Sequence, residues 1–268
     1  MTFSRNNKAN SSQRDASNDL GGPLPLQETS ALGTEVTPVI EPGSRARAIS
    51  GLWIPPLILI AVALIGLLVK NMDFARTEIH VSIWLSQHQL PGISHLAFAI
   101  AVVFSSTVAT VIAVVTAIGI GVIYTIRRAL SFLWLTVISW GGAAVIKPIV
   151  LRPRPQADLL YDPISPKTGV LSYPSGHTAF ATALFLAIVF TLVSRKHRKL
   201  GLALAGVGIL LVAASRVYVG AHFMTDVAAG ATSAAASCWF ALTLLTRRLR
   251  PHTERHRALP ASNLDNQT

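Results

Sequence analysis

Residues 52–69 run for 18 positions without a charge. As a helix rising about 1.5 Å per residue, that run covers about 27 Å and matches the hydrocarbon thickness of a bilayer. Pro55 and Pro56 fall near its start, where missing backbone donors cost least. From Ile79 to Ile126 there is no Asp, Glu, Lys or Arg, yet Ser82, Gln87, His88, Gln89, Pro91 and His95 make the first half a poor partner for lipid. The pattern predicts a second span over about 106–126 and an interfacial or re-entrant helix over about 93–104, too short to cross. A hairpin of two short spans is the alternative, and it would reverse everything downstream. Four more apolar runs follow at 129–146, 178–194, 200–215 and 227–246. The expected fold is all-α, a bundle of six transmembrane helices with both termini on one side.

Composition agrees with that pattern. The 268 residues are 51% hydrophobic and only 13% charged, too few charges to cover a soluble domain of this size. Residues 1–48 differ: they are rich in Ser, Asn, Gln, Gly and Pro, with five basic and five acidic side chains. Such a segment buries too little apolar surface to order itself, so a disordered cytoplasmic tail is expected there. The expected organisation is this tail, a six-span membrane domain over 49–248, and a basic cytoplasmic tail over 249–268. No apolar core of a signal peptide lies within the first 30 residues, so the first span is expected to act as its own anchor. The single cysteine, Cys238, excludes a disulfide framework and a cysteine-based zinc site.

The net charge of +11, from 23 Lys and Arg against 12 Asp and Glu, then needs an explanation. Between the predicted spans, one face holds 13 cations: Arg45, Arg47, Arg127, Arg128, Arg195, Lys196, Arg198, Lys199, Arg247, Arg248, Arg250, Arg255 and Arg257. The other holds 7: Lys70, Arg76, Lys147, Arg152, Arg154, Lys167 and Arg216. Basic loops stay on the cytoplasmic side, so the first face and both termini are expected to be cytoplasmic, in a cell membrane. The basic stretches at 195–199 and 247–257 abut spans, where topogenic and anionic-lipid contacts explain them better than nucleic acid does.

The outer, cation-poor face nevertheless gathers unusual chemistry. Lys147, Arg152 and Arg154 follow the third span, Ser175-Gly176-His177 opens the fourth, and Arg216, His222 and Asp226 cross the turn between the fifth and sixth. Ser175 suits the cap of a helix whose first amides, from Gly176 onward, would face an anion. Arginine forks match phosphate oxygens, and Lys147 adds a point charge. His222 and Asp226 are four apart and share a helical face, so the carboxylate can hold one ring nitrogen protonated and leave the other free to attack. His177 lies on another element, placed to protonate a leaving oxygen. Four cations would repel a metal ion from this cluster, so no metal and no cofactor are expected. Taken singly, each cation fits a snorkelling anchor, Ser175 a plain helix cap, and His222 with Asp226 a structural pair.

Together these residues closely resemble the type 2 phosphatidic acid phosphatase (PAP2) superfamily, whose signature reads K-x6-RP, PSGH, then SR-x5-H-x3-D. The three parts stand here as Lys147 to Arg154-Pro155, Pro174 to His177, and Ser215-Arg216 through His222 to Asp226. The resemblance is specific over 147–226 and implies a metal-independent phosphatase working through a phosphohistidine. By that resemblance His222 is the nucleophile, Asp226 orients it and His177 is the general acid. Lys147, Arg154, Arg216, Ser175 and the Gly176 amide would bind phosphoryl oxygens, with Arg152 in a supporting role. The expected substrate is a lipid phosphate or diphosphate held within the bilayer and presented at the outer face, a polyprenyl diphosphate first, phosphatidate or phosphatidylglycerophosphate next. A phosphotransferase with the same histidine chemistry is the alternative enzyme. An anion transporter would require charges at mid-span, which the six runs lack.

Overall fold

The computed structural model describes residues 42–71, 74–161 and 170–248. Among them are eight α-helices: α1 (Pro42–Asn71), α2 (Phe74–Gln87), α3 (Pro91–Val103), α4 (Ser106–Ile123), α5 (Ile126–Val150), α6 (Gly176–Leu192), α7 (Arg198–Tyr218) and α8 (Met224–Arg248). A single 3₁₀ turn, Ala157–Leu159, and an isolated bridge between Pro153 and Leu171 lie in the α5–α6 connection. The fold is all-α, as the apolar pattern predicts.

Among the described residues, five helical segments are long and apolar enough to cross a membrane: Leu52–Asn71, Ser106–Ile123, Ile126–Val150, Arg198–Tyr218 and Met224–Arg247. The remaining predicted span, the fourth in chain order, is α6, which has 17 residues, about 26 Å of helix. Its limits are local: Ser175 caps its start and Val193 leaves helical geometry just before the charged turn at 195–199. Outward-facing stripes cover the longer helices. On α4, Val111, Val115, Ile118 and Val122 are exposed at spacings of three and four, the face a lipid-solvated helix presents.

The helices pack mainly through α5, α6 and α8. Phe132 and Leu135 of α5, Phe180 and Leu184 of α6, and Cys238 and Ala241 of α8 are buried in one cluster that also takes in Ala109 and Ile120 of α4. Small residues let these backbones close up, as at Ala143, Ala179 and Ala234, which meet across α5, α6 and α8. At Gly142 the Ser237 side chain occupies the space a Cβ would need.

Two expectations change. α1 begins at Pro42, so the tail boundary expected at residue 48 falls inside a helix; Pro55 and Pro56 stand near the start of the membrane-crossing segment Leu52–Asn71, as expected, but inside the longer helix. The rest of the expected tail, 1–41, and the basic tail from 249 lie outside the described residues. The polar stretch before residue 91 also forms a helix, α2, which the lack of an apolar run hid. The predicted short helix over 93–104 is α3, whose buried Ala97 packs with Val219 and Ala221 beside the α7–α8 turn.

Candidate active site

Five helix ends converge at one end of the bundle. α4, α6 and α8 begin there, α5 and α7 finish there, and two connections are tied across them. The Ser172 amide donates to the Arg152 carbonyl at 2.8 Å and its hydroxyl to the Pro153 carbonyl at 2.9 Å, which zips the two legs of the α5–α6 connection. The Tyr173 hydroxyl reaches across to α1 and donates to the Val62 carbonyl at 2.7 Å. α5 itself stops at Leu151, in the left-handed region at φ 55°, a conformation that ends helices. The α7–α8 turn needs Gly220, at φ 69°, where Leu160 would also crowd a Cβ.

The start of α6 is docked on the first turn of α8. The Ser175 amide donates to the Asp226 carbonyl at 2.9 Å. A Cβ at Gly230 would stand 2.5 Å from the Ser175 carbonyl oxygen, so glycine is what lets the loop lie against the helix. Ser175 is fully buried and its hydroxyl accepts from the Thr178 amide at 3.5 Å and the Thr178 hydroxyl at 3.2 Å, so it caps α6 as the sequence suggests.

A cavity of about 660 Å³ opens over these ends, lined by Lys147, Arg154, Gly176, His177, Arg216 and His222. Its other wall comes from Ala101, Val102, Ser105, Ser106 and Thr107, at the junction of α3 and α4, with Val170 and Leu171. That wall carries no family motif; its one departure from the surrounding apolar sequence is the hydroxyl run Ser105-Ser106-Thr107. The rings of His177 and His222 approach edge to face with centroids 6.4 Å apart. Arg216 is 2% exposed, and among the described residues its Nε and Nη2, both ring nitrogens of His222 and Nε of Arg154 have no hydrogen-bond partner. Buried donors of this kind match an anion with several oxygens. Burial pulls the Arg154 guanidinium below its ordinary pKa, with Asp226 opposing.

Three of the nine predicted residues stand behind the cavity. Asp226 is fully buried, and its Oδ2 lies 3.6 Å from His222 Nδ1, a separation longer than a hydrogen bond. The same oxygen accepts from the Phe223 amide at 2.9 Å, which fixes the carboxylate. Ser175 serves the cap. Arg152 departs from its predicted supporting place at the phosphate: it is 1% exposed, turned from the cavity, and donates to Asp226 Oδ1 and Glu78 Oε2 at 2.8 Å each. A buried guanidinium requires carboxylates, and these two hold it where the phosphate cannot. Glu78, which accepts again from the Thr225 amide and hydroxyl at 2.8 Å, is absent from the sequence reading.

Burial holds the His222 imidazole down to about 4, with Arg154 and Lys147 adding to that effect and Asp226 opposing it. The ring is therefore neutral at pH 7 and keeps a free lone pair.

The sequence profile of the PAP2 superfamily matches residues 128–250. Phosphatidylglycerophosphatase B of Bacillus subtilis (strain 168) is 38% identical over 92 residues, which are 32% of this chain and 42% of that relative. The match thus spans about two fifths of the relative's length. Among solved structures, a transmembrane PAP2-type phosphatidylglycerolphosphate phosphatase from Bacillus subtilis superposes with a TM-score of 0.62 at 22% identity, covering 74% of this chain and 98% of that one. Aquifex aeolicus LpxE superposes with a TM-score of 0.50 at 20% identity, covering 65% and 98%. At these identities the two structures share the fold.

Proposed function

We propose, for a chain that carries a PAP2 superfamily domain over residues 128–250, that it is a membrane phosphatase removing a phosphoryl group from a lipid phosphate or diphosphate through a phosphohistidine. One observation supports this most: two histidines from separate elements face a single cavity with Lys147, Arg154 and Arg216. In the proposed reaction Nε2 of His222 attacks phosphorus in line with the leaving oxygen. The P–O bond breaks, and His177 donates the proton that the leaving oxygen takes up. Asp226 holds the Nδ1 proton and balances the positive ring as charge develops. Lys147, Arg154, Arg216 and the Gly176 amide meet the oxygens of a transition state whose charge is spread over the equatorial positions. Water then attacks phosphorus, His177 takes its proton, the P–N bond breaks, and phosphate leaves with His222 restored.

The substrate class follows from placement. The cavity lies at helix ends, beside a wall of Ala101 and Val102 from α3 with Val170 and Leu171, and of Ser105, Ser106 and Thr107 at the start of α4, so a lipid in the bilayer can present its head group from the side. Similarity to the Bacillus phosphatidylglycerophosphatase supports phosphatidylglycerophosphate; the polyprenyl diphosphate expected from the sequence competes with it. Free phosphate released by purified protein in detergent with chelator present, from a panel of undecaprenyl diphosphate, phosphatidylglycerophosphate and phosphatidate without added acceptor, tests the reading. Activity on at least one is expected. Activity only with an added acceptor would make the protein a phosphotransferase, and a strict need for Mg²⁺ would remove the metal-free chemistry.

Two further outcomes are expected. Because the folded pKa of His222 lies below the ordinary 6.5, the nucleophile stays neutral as pH falls through 6.5 and is lost only toward the lower value. The acid limb of kcat/KM should therefore have its midpoint nearer 4 than 6.5, and a midpoint at 6.5 would contradict this account of the site. The proposed orientation puts the cavity outside. Tyr161 is 83% exposed in the α5–α6 connection, so Tyr161→Cys in a Cys238→Ala background should react with an impermeant maleimide added to intact cells. Labelling only after lysis would invert the topology.

A further inference from the structure

A buried carboxylate from outside the superfamily match stands directly behind the nucleophile's partner. Glu78 lies on α2, fifty residues before the matched segment begins, and is 7% exposed. Its Oε2 accepts from Arg152 Nη2 at 2.8 Å. Thr225 is clamped between the two, donating through its amide and hydroxyl to Glu78 and accepting from Arg152 Nη1 at 2.7 Å. The same Nη1 donates to Asp226 Oδ1 at 2.8 Å, and Asp226 Oδ2 faces His222. The order is therefore Glu78, Arg152, Asp226, His222, every member at most 7% exposed.

The charges of that chain decide what each member can do. Asp226 carries one negative charge and faces two claimants, the permanent cation of Arg152 and the imidazole that becomes positive as it attacks. In a site this dry, one carboxylate paired with one guanidinium presents little net field to a third group. With Glu78 ionised, Arg152 is already neutralised from behind, and the buried trio keeps a net charge of −1 directed at His222. The other groups facing that ring, Lys147 on α5, Arg154 in the α5–α6 connection, Arg216 on α7 and His177 on α6, are cationic or neutral. They deepen the need for a negative charge behind it.

We propose that Glu78 is a positioning residue for the phosphatase reaction, compensating Arg152 so that the charge of Asp226 remains available to the His222 nucleophile. This rests on the reading of His222 as nucleophile. The same geometry fixes what each substitution does. Glu78→Gln keeps an acceptor for Thr225 but removes the charge, so Arg152 draws on Asp226 alone. Arg152→Met keeps the length of the side chain but removes the cation, so the compensation is no longer required. Coupling between groups in one buried network commonly amounts to about 10- to 100-fold in an equilibrium or rate.

The test is a double-substitution cycle on the purified full chain in detergent, read as kcat and KM on the panel lipid that the unsubstituted protein hydrolyses fastest. Glu78→Gln should lower kcat about 10- to 100-fold with KM changed less than about threefold. Glu78→Gln combined with Arg152→Met should recover at least about tenfold of that loss, although it removes one more buried contact. A merely structural role predicts the opposite, a double variant no better than Glu78→Gln alone, and that result overturns the proposal. Unchanged kcat in Glu78→Gln overturns it as well while leaving the phosphatase reading intact. If Glu78→Gln does not fold, the electrically balanced double variant decides: kcat within about tenfold of the unsubstituted chain supports compensation, and less than about 1% contradicts it. Absence of phosphate release by the unsubstituted chain from every panel lipid would instead overturn the reading and the proposal together.

Discussion

Phosphate release should fall by at least about 10³-fold when His222 is replaced by alanine, on every lipid the protein hydrolyses, with its thermal midpoint nearly unchanged. The side chain accounts for both halves of that expectation. His222 lies in the α7–α8 turn, is 1% exposed, and neither ring nitrogen has a hydrogen-bond partner among the described residues, so its removal breaks little that holds the fold. The cations proposed to bind the phosphoryl group remain in the cavity, so KM should change far less than kcat. A loss of less than tenfold across the panel would mean that another group forms the bond to phosphorus.

Asp226→Asn should be costly in both respects. The carboxylate accepts from Arg152 and from the Phe223 amide and faces His222 Nδ1. An amide in its place keeps the shape but loses the charge that fixes the imidazole tautomer, an effect of about 10²–10⁴-fold on kcat. It also leaves Arg152 with a single carboxylate, Glu78. Breaking one arm of a buried ion pair costs about 3 kcal/mol, so thermal unfolding of the variant should begin several degrees lower. His222→Ala and Asp226→Asn thus separate chemistry from architecture: a normal midpoint in Asp226→Asn would contradict the buried network.

Much of this was legible in the sequence because membranes impose a simple rule. Apolar runs of about 18 residues mark the spans, and the segments holding Lys147, His177 and His222 follow or precede such runs, so their meeting at one end of the bundle is a consequence of topology. The cap at Ser175 was readable from its residue type. What escaped was long-range pairing. Glu78 sits just before a charge-free stretch, and the acidic residues between 52 and 160 are only Asp73, Glu78 and Asp158. That scarcity was the available signal, since a carboxylate near a span is retained at a cost. Its partner, though, lies 74 positions away, and no local period encodes that contact. Arg152 illustrates the converse error. Its neighbour Arg154 faces the cavity, and with no alternation to read in an irregular loop, two arginines one residue apart look equivalent in sequence while the fold turns one inward. The wall from Ala101 to Thr107 was missed for a simpler reason: its only polar signal, the hydroxyl run Ser105-Ser106-Thr107, is what many helix starts carry.

The most direct test of the central claim is to look for the covalent species itself. Purified protein mixed with a substrate lipid in a single turnover, quenched in alkali within milliseconds and digested for mass spectrometry, should carry a phosphoryl group on His222 that appears and decays at least as fast as kcat. Phosphate released at the normal rate with no such group, or with the group on another side chain, would contradict it.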